Sequence, residues 1–170
     1  RRQRQMCIRD SYHPHVPSAA PLLAEGRHIA SIDGGCSLKV DGQLNALVLP
    51  EKPGGAFSWF AYDGLPTAEA LDPQAPSADS VNIRWGRNAL EVLERGAELS
   101  LCRHLETGRV LEVLTEYLYV DRGVTRCEDS TDYRLAVRPG DTLSVVRRIS
   151  DRALVKKDGV TGWYFGRLAH

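Results

Sequence analysis

Cysteine, histidine, aromatic and acidic residues bound the chemistry open to this chain. Cys102-Arg103-His104 places a thiol and an imidazole two residues apart, on one face of a strand, a minimal nucleophile–base arrangement. The plainer reading, Cys102 as a small buried hydrophobe, is the stronger. His13 and His15 straddle Pro14 and could clip a metal, but a solvated linker is the simpler account. There is no Cys-x-x-Cys pair and no histidine cluster at zinc spacing, so neither a structural zinc nor another cofactor is expected. A further set is different in kind. Tyr117, Tyr119, Tyr133, Trp163 and Tyr164 could line a shallow groove, with Glu128, Asp129 and Asp132 steering cationic groups towards it. That is ligand binding rather than catalysis, and each of these rings can equally serve as packing. The run Glu128-Asp129-Ser130-Thr131-Asp132 in its plainer form is a solvated loop.

The elements that must position these residues are strands. Over 135–168, Leu135 and Val137 alternate with Ala136 ahead of a Pro139-Gly140-Asp141 turn, and Leu143 and Val145 alternate with Ser144. Ala153, Leu154 and Val155 lead through Lys156-Lys157 to Asp158-Gly159, a pair that tolerates the positive φ of a tight hairpin turn. Val160-Thr161-Gly162-Trp163-Tyr164 follows, with a glycine where the backbone must bend under two large rings. Tyr117 and Tyr119 share one face of an alternating run that ends at Asp121. Upstream, 36–49 reads as a hairpin about Asp41-Gly42, and 56–62 as an aromatic strand. Its rings fall on both faces, which is more often core packing than a binding face. The proline-rich stretches 12–25 and 65–79 are expected as linkers, the second with room for one helical turn capped by Thr67.

The pattern "GD.L.V…LVK.DG..GW…..L", with Gly159, Gly162, Trp163 and Leu168 at its end, resembles the close of a bacterial SH3-like barrel. The eukaryotic SH3 pattern fits less well. This chain has Arg152-Ala153 where that family has a tryptophan pair, and Phe165-Gly166 where it has proline and tyrosine, residues that form its polyproline groove. Val81-Asn82-Ile83-Arg84 is similar to the strand that opens many bacterial SH3 repeats. Gly96, Leu99, Ser100 and Arg103 recur 44 residues later as Gly140, Leu143, Ser144 and Arg147. The expected fold is therefore all-β, with small SH3-like barrels in tandem at 80–124 and 125–170 behind a β-rich module at 26–64. The alternative is a β-trefoil with lobes at 27–70, 80–124 and 125–170. The resemblance implies a non-catalytic module that binds a peptide or a peptidoglycan-type ligand outside the cytoplasm, because small barrels have no interior room for chemistry. The alternative is a targeting fragment of a larger enzyme, such as a cell-wall hydrolase with its catalytic domain upstream.

Gln5-Met6-Cys7-Ile8-Arg9-Asp10-Ser11 resembles the translation of a transposase end used in sequencing-library preparation. Residues 1–11 are accordingly expected to be a non-native scar on a fragment that lacks its own start. Without residues 1–10 the balance is 18 basic to 21 acidic residues, about −3, which gives no electrostatic footprint for nucleic acid. At 42% apolar and 26% charged the composition is that of a globular chain, and no apolar run approaches the roughly 20 residues of a membrane span, so no membrane insertion is expected. Outside the scar the cysteines are Cys36, Cys102 and Cys127. A Cys102–Cys127 disulfide would leave one over.

Overall fold

A computed structural model of the chain describes residues 20–24, 29–36, 39–52 and 54–169. The expected scar at 1–11 and the histidines at 13 and 15 lie outside the described residues. The chain is all-β, as its alternating patterns predict. Among the described residues the one helical element is a 3-10 turn, Thr115–Tyr117. Two hairpins come first: β1 (Leu22–Ala24) with β2 (Ile29–Ser31), and β3 (Leu44–Val48) with β4 (Ser58–Tyr62). A short β5 (Thr67–Glu69) follows, then β6 (Asn82–Ile83). β7 (Leu90–Arg95), β8 (Leu99–His104) and β9 (Val110–Leu114) make an antiparallel meander. β10 (Leu118–Asp121) pairs with β11 (Val124–Cys127), and β12 (Ser130–Thr131) returns to pair with β6. The chain ends on β13 (Thr142–Arg148), β14 (Ala153–Lys157) and β15 (Val160–Tyr164), a second meander joined by β5 in the order β15-β14-β13-β5. Among the described residues the sheets are small and separate, and none closes into a barrel.

Local chemistry explains the tight turns. Asp158 and Gly159 take φ values of 51° and 77°, the left-handed pair that matches the twist of the β14–β15 hairpin, as their types predict. Gly162 has a different task. A Cβ there would stand 2.9 Å from the Tyr133 carbonyl, and the open space lets that strand run close enough for the Trp163 N–H to donate to Tyr133 at 2.7 Å. The Leu135 N–H donates back to the Trp163 carbonyl at 3.0 Å.

The chain is nested rather than strictly tandem. The stretch 65–79, expected as a linker, contains β5, and Thr67, Ala68 and Glu69 pair with Ser144, Leu143 and Thr142. Ala70 then bridges Leu168, the Leu71 N–H donates to Arg167 at 2.9 Å, and the Ala169 N–H donates to Glu69 at 2.8 Å. Three residues with no apolar period become a strand because two distant segments supply partners on either side. Gln74 and Val137 exchange backbone bonds of 2.8 and 2.9 Å at the point where the intervening chain leaves and returns. The elements β6 to β12 are thus inserted between β5 and β13. These pairings cross the limits of the three lobes that a trefoil reading would require.

The repeat is present in another register. Each meander has a bulge in its first strand, between Val92 and Glu94 in β7 and between Val145 and Arg147 in β13. By order and bulge, β7 corresponds to β13, β8 to β14 and β9 to β15. The residue match 44 apart had instead set β8 over β13, because any glycine turn followed by an alternating strand satisfies it.

Two apolar clusters share β14 and β15. Ala153, Val155 and Tyr164 pack with Ala70, Leu135, Val137 and Leu143. Leu154 and Trp163, paired across the same strands, face the other way and join Ile83, Leu90, Cys102, Leu111, Val113, Leu114, Tyr117 and Cys127 of the inserted module. The N-terminal hairpins differ from expectation. β1 falls inside the stretch 12–25 read as linker. Lys39 and Val40 lie in turns, and the hairpin forms between β3 and β4 instead. Every residue of β4 is exposed, so Trp59, Phe60 and Tyr62 are not core: among the described residues no second sheet faces them.

Tyr164, fully buried, fastens the nest. Its hydroxyl accepts from the Asp72 N–H at 3.0 Å and donates towards the carbonyls of Asp72 at 2.7 Å and Arg167 at 3.2 Å. Tyr164→Phe leaves the part-buried N–H and carbonyl of Asp72 without this partner and should cost about 1 kcal/mol in urea unfolding. Beside it the Asp72 carboxylate takes Arg167 Nε at 3.0 Å and Nη2 at 2.9 Å, and this guanidinium holds the carboxyl at about 2, below its ordinary 3.8. A depressed folded pKa means the clamp is whole above about 4 and is lost as pH falls to about 2. Hydrogen exchange at the Leu71 and Ala169 amides should accelerate across that window, and Asp72→Asn should abolish the acceleration.

Candidate functional site

The aromatic residues expected to line a groove divide by burial. Tyr164 and Trp163 are 0% and 5% exposed, and Tyr117, at 9%, belongs to the same cluster as Trp163. The Trp163 indole N–H donates to the Thr131 carbonyl at 2.8 Å, and its ring carries the Arg152 guanidinium 5.6 Å from the centroid. Burial pushes the Tyr117 hydroxyl up to about 12, with the Asp41 carboxylate adding to the effect. Tyr119 is half-buried, its hydroxyl accepting from Asn88 Nδ2 at 2.9 Å. Tyr133 is half-buried against the second cluster. These rings do not converge on one open groove.

The acidic residues do come together, on either side of β12. Ser130 pairs with Ile83 and Thr131 with Asn82, which sets Asp129 beside one end of β6 and Asp132 beside the other. Each aspartate caps a backbone group with one oxygen and takes a cation with the other. Asp132 Oδ1 accepts from the Val81 N–H at 2.7 Å, and its Oδ2 meets Arg109 Nε at 2.5 Å, a guanidinium that also reaches Asp79. Asp129 Oδ1 accepts from the Trp85 N–H at 2.9 Å, and its Oδ2 meets Lys39 Nζ at 2.5 Å. The two cations differ in origin: Arg109 belongs to the inserted module, Lys39 to the N-terminal loop. Glu128 is exposed next to Asp129, its N–H donating to the Tyr117 carbonyl at 3.0 Å.

Trp85 was not among the expected site residues. Its side chain is 77% exposed although its backbone is fixed on Asp129. The available signal was its position directly after Val81-Asn82-Ile83-Arg84 and before Gly86, whose φ of 87° turns the chain away. A large ring on a turn, outside any alternating strand, has no packing partner to anticipate.

The same surface continues onto the C-terminal sheet. Lys156 and Thr161 are a cross-strand pair on the face that carries Leu154 and Trp163. The Lys156 amine, 5% exposed, donates to the Asp41 carbonyl at 2.9 Å and lies 3.8 Å from the Asp63 carboxylate. Burial pushes it below its usual value against the pull of Asp63 and Asp41, with the Lys39 charge adding to the lowering. The Thr161 hydroxyl donates to Asp41 Oδ2 at 2.5 Å.

The thiols are placed for packing. Cys102 and Cys127 are fully buried, no disulfide joins them, and burial raises both pKa values, Cys127 to about 11. A thiol so raised is not a nucleophile near neutral pH. Both nitrogens of His104 are engaged, Nδ1 with the Thr107 hydroxyl at 2.9 Å and Nε2 with the Arg87 carbonyl at 2.8 Å. Among the described residues no group of three or more His, Cys, Asp or Glu could hold a metal ion, and no helix is long and apolar enough to cross a membrane.

Because Trp163 joins the two modules, Trp163→Ala should lower stability by about 3–5 kcal/mol in denaturant unfolding. Unchanged stability with lost ligand binding would instead return this ring to a recognition role. No family model, curated protein or solved structure matches this chain.

Proposed function

We propose that this chain is a non-catalytic binding module of the bacterial SH3-like kind. It recognises a peptide or cell-wall peptide that presents a cationic group to Asp129 and Glu128 beside Trp85. The observation that carries this reading is the Lys39–Asp129 ion pair. That carboxylate already receives a lysine ammonium at 2.5 Å, while the exposed Trp85 is held by its other oxygen. An exposed indole whose backbone N–H is held by a carboxylate suits an amine, the ring through its quadrupole and the carboxylate through charge. The recurring bulged meander supports the SH3-like part of the reading, and filled cores leave turns and short strands as the surface such a module would use.

Co-sedimentation with purified peptidoglycan tests it. Trp85→Ala and Asp129→Asn should each weaken retention by about tenfold, as loss of a cation–π contact or a charge pair implies, with the unfolding midpoint unchanged. Retention of Trp85→Ala equal to that of the unaltered chain would remove this surface from recognition.

A further inference from the structure

Backbone bonds tie Lys39, Gly42 and Gln43 to one another and to Gly34 and Gly35. The Lys39 N–H donates to the Gly35 carbonyl at 3.0 Å, the Gly42 N–H to Lys39 at 3.1 Å and the Gln43 N–H to Gly34 at 2.9 Å. The turn at 39–41 then reaches groups far away in sequence at three points. The Lys39 ammonium meets Asp129 at 2.5 Å, the Asp41 carboxylate accepts from the Thr161 hydroxyl at 2.5 Å, and the Asp41 carbonyl accepts from Lys156 at 2.9 Å. None of these contacts is needed for those backbone bonds. Opposite charges at i and i+2, one meeting the Asp129 carboxylate in the bend before Ser130–Thr131 and the other a hydroxyl of the C-terminal sheet, resemble the way a short peptide is held on a recognition surface.

We infer that Asp129, Thr161 and Lys156 form a binding site for a Lys-x-Asp turn, and that residues 39–41 fill this site in cis, leaving the module autoinhibited. The inference rests on Asp129 being the recognition carboxylate, and it names both the chemistry of the ligand and the way access is controlled. In the closed chain Asp129 Oδ1 accepts from the Trp85 N–H and Oδ2 meets Lys39, so an incoming ammonium competes with Lys39 for the same carboxylate oxygen. Ion pairs at a surface are individually weak, so a ligand that offers the same charges in several copies can displace the loop.

Two measurements on the full chain decide the matter. The first compares retention on purified peptidoglycan for the unaltered chain and for Lys39→Ala/Asp41→Ala. A loop closed nine-tenths of the time hides the site by that fraction, so opening it should tighten apparent binding about tenfold. The second measures anisotropy of a labelled, head-to-tail cyclised peptide of residues 34–43 with Cys36 replaced by serine. It should bind the emptied chain, bind the unaltered chain about tenfold more weakly, and be lost again on adding Asp129→Asn.

Equal peptidoglycan retention together with no peptide binding overturns the inference while leaving the binding-module reading intact. Peptide binding without any peptidoglycan retention supports the inference and removes the cell-wall ligand. Binding of neither probe by the emptied, folded chain overturns the inference as well. Should Lys39→Ala/Asp41→Ala fail to fold, Lys39→Glu is compared with Lys39→Glu/Asp129→Lys. The single variant should take up the peptide, and the charge-swapped pair should again bind it more weakly. Uptake equal in both, or absent from both, overturns the inference.

Discussion

The structure depends on holding residues 67–72 against the chain's far end. The Tyr164 hydroxyl does this from inside, bonding the N–H and carbonyl of Asp72 and the carbonyl of Arg167, and the Asp72–Arg167 clamp does it from outside. A buried phenol in this place is stabilising because its hydroxyl and the part-buried N–H and carbonyl of Asp72 pair with one another. With this fastening in place, β5 lies between β13 and Leu168, and everything between Gln74 and Val137 must leave and return at one place. Closing so long an excursion costs chain entropy that local pairing cannot supply, and the two apolar clusters offset it.

Those clusters are not independent. β14 is buried on both faces, and β15 sends Tyr164 one way and Trp163 the other, so the terminal sheet is an inner layer of the molecule. That arrangement explains why the most conspicuous aromatic residues are unavailable to a ligand. Rings of this size contribute most where they displace most water, and here both faces of the sheet have something to cover. What the inner layer leaves outside its apolar faces is a tryptophan on a turn, carboxylates that cap β6, and the polar end of the β14–β15 pair at Lys156 and Thr161. It is this end that Asp41 covers, so the same sheet face is apolar where it meets the inserted module and polar where it meets Asp41.

Much of the fold was legible in the residues. Alternation marked β13, its recurring pattern marked β8, Asp158-Gly159 marked its hairpin, and Gly162 before Trp163 marked a special backbone position. Signals of this sort act within a few residues, through φ preferences and the two-residue period of a strand. The acidic set was also legible as a set, because Glu128, Asp129 and Asp132 are near neighbours in the chain. Trp85 was not, since nothing local separates an exposed tryptophan from a buried one. The strand character of 67–69 was not legible either, because Thr-Ala-Glu has no period of its own.

By itself, then, the sequence determined that the chain is all-β, where most of its turns fall, and which carboxylates could gather cations. Only the tertiary structure decided that one module is inserted within the other, that the residue repeat runs in a different register, and that Trp163 and Tyr164 are core. It alone paired Lys39 with Asp129. The division follows from the range of the forces. Backbone preference and strand alternation are properties of adjacent residues, whereas burial, nesting and ion pairing belong to segments that meet only once the chain has closed on itself.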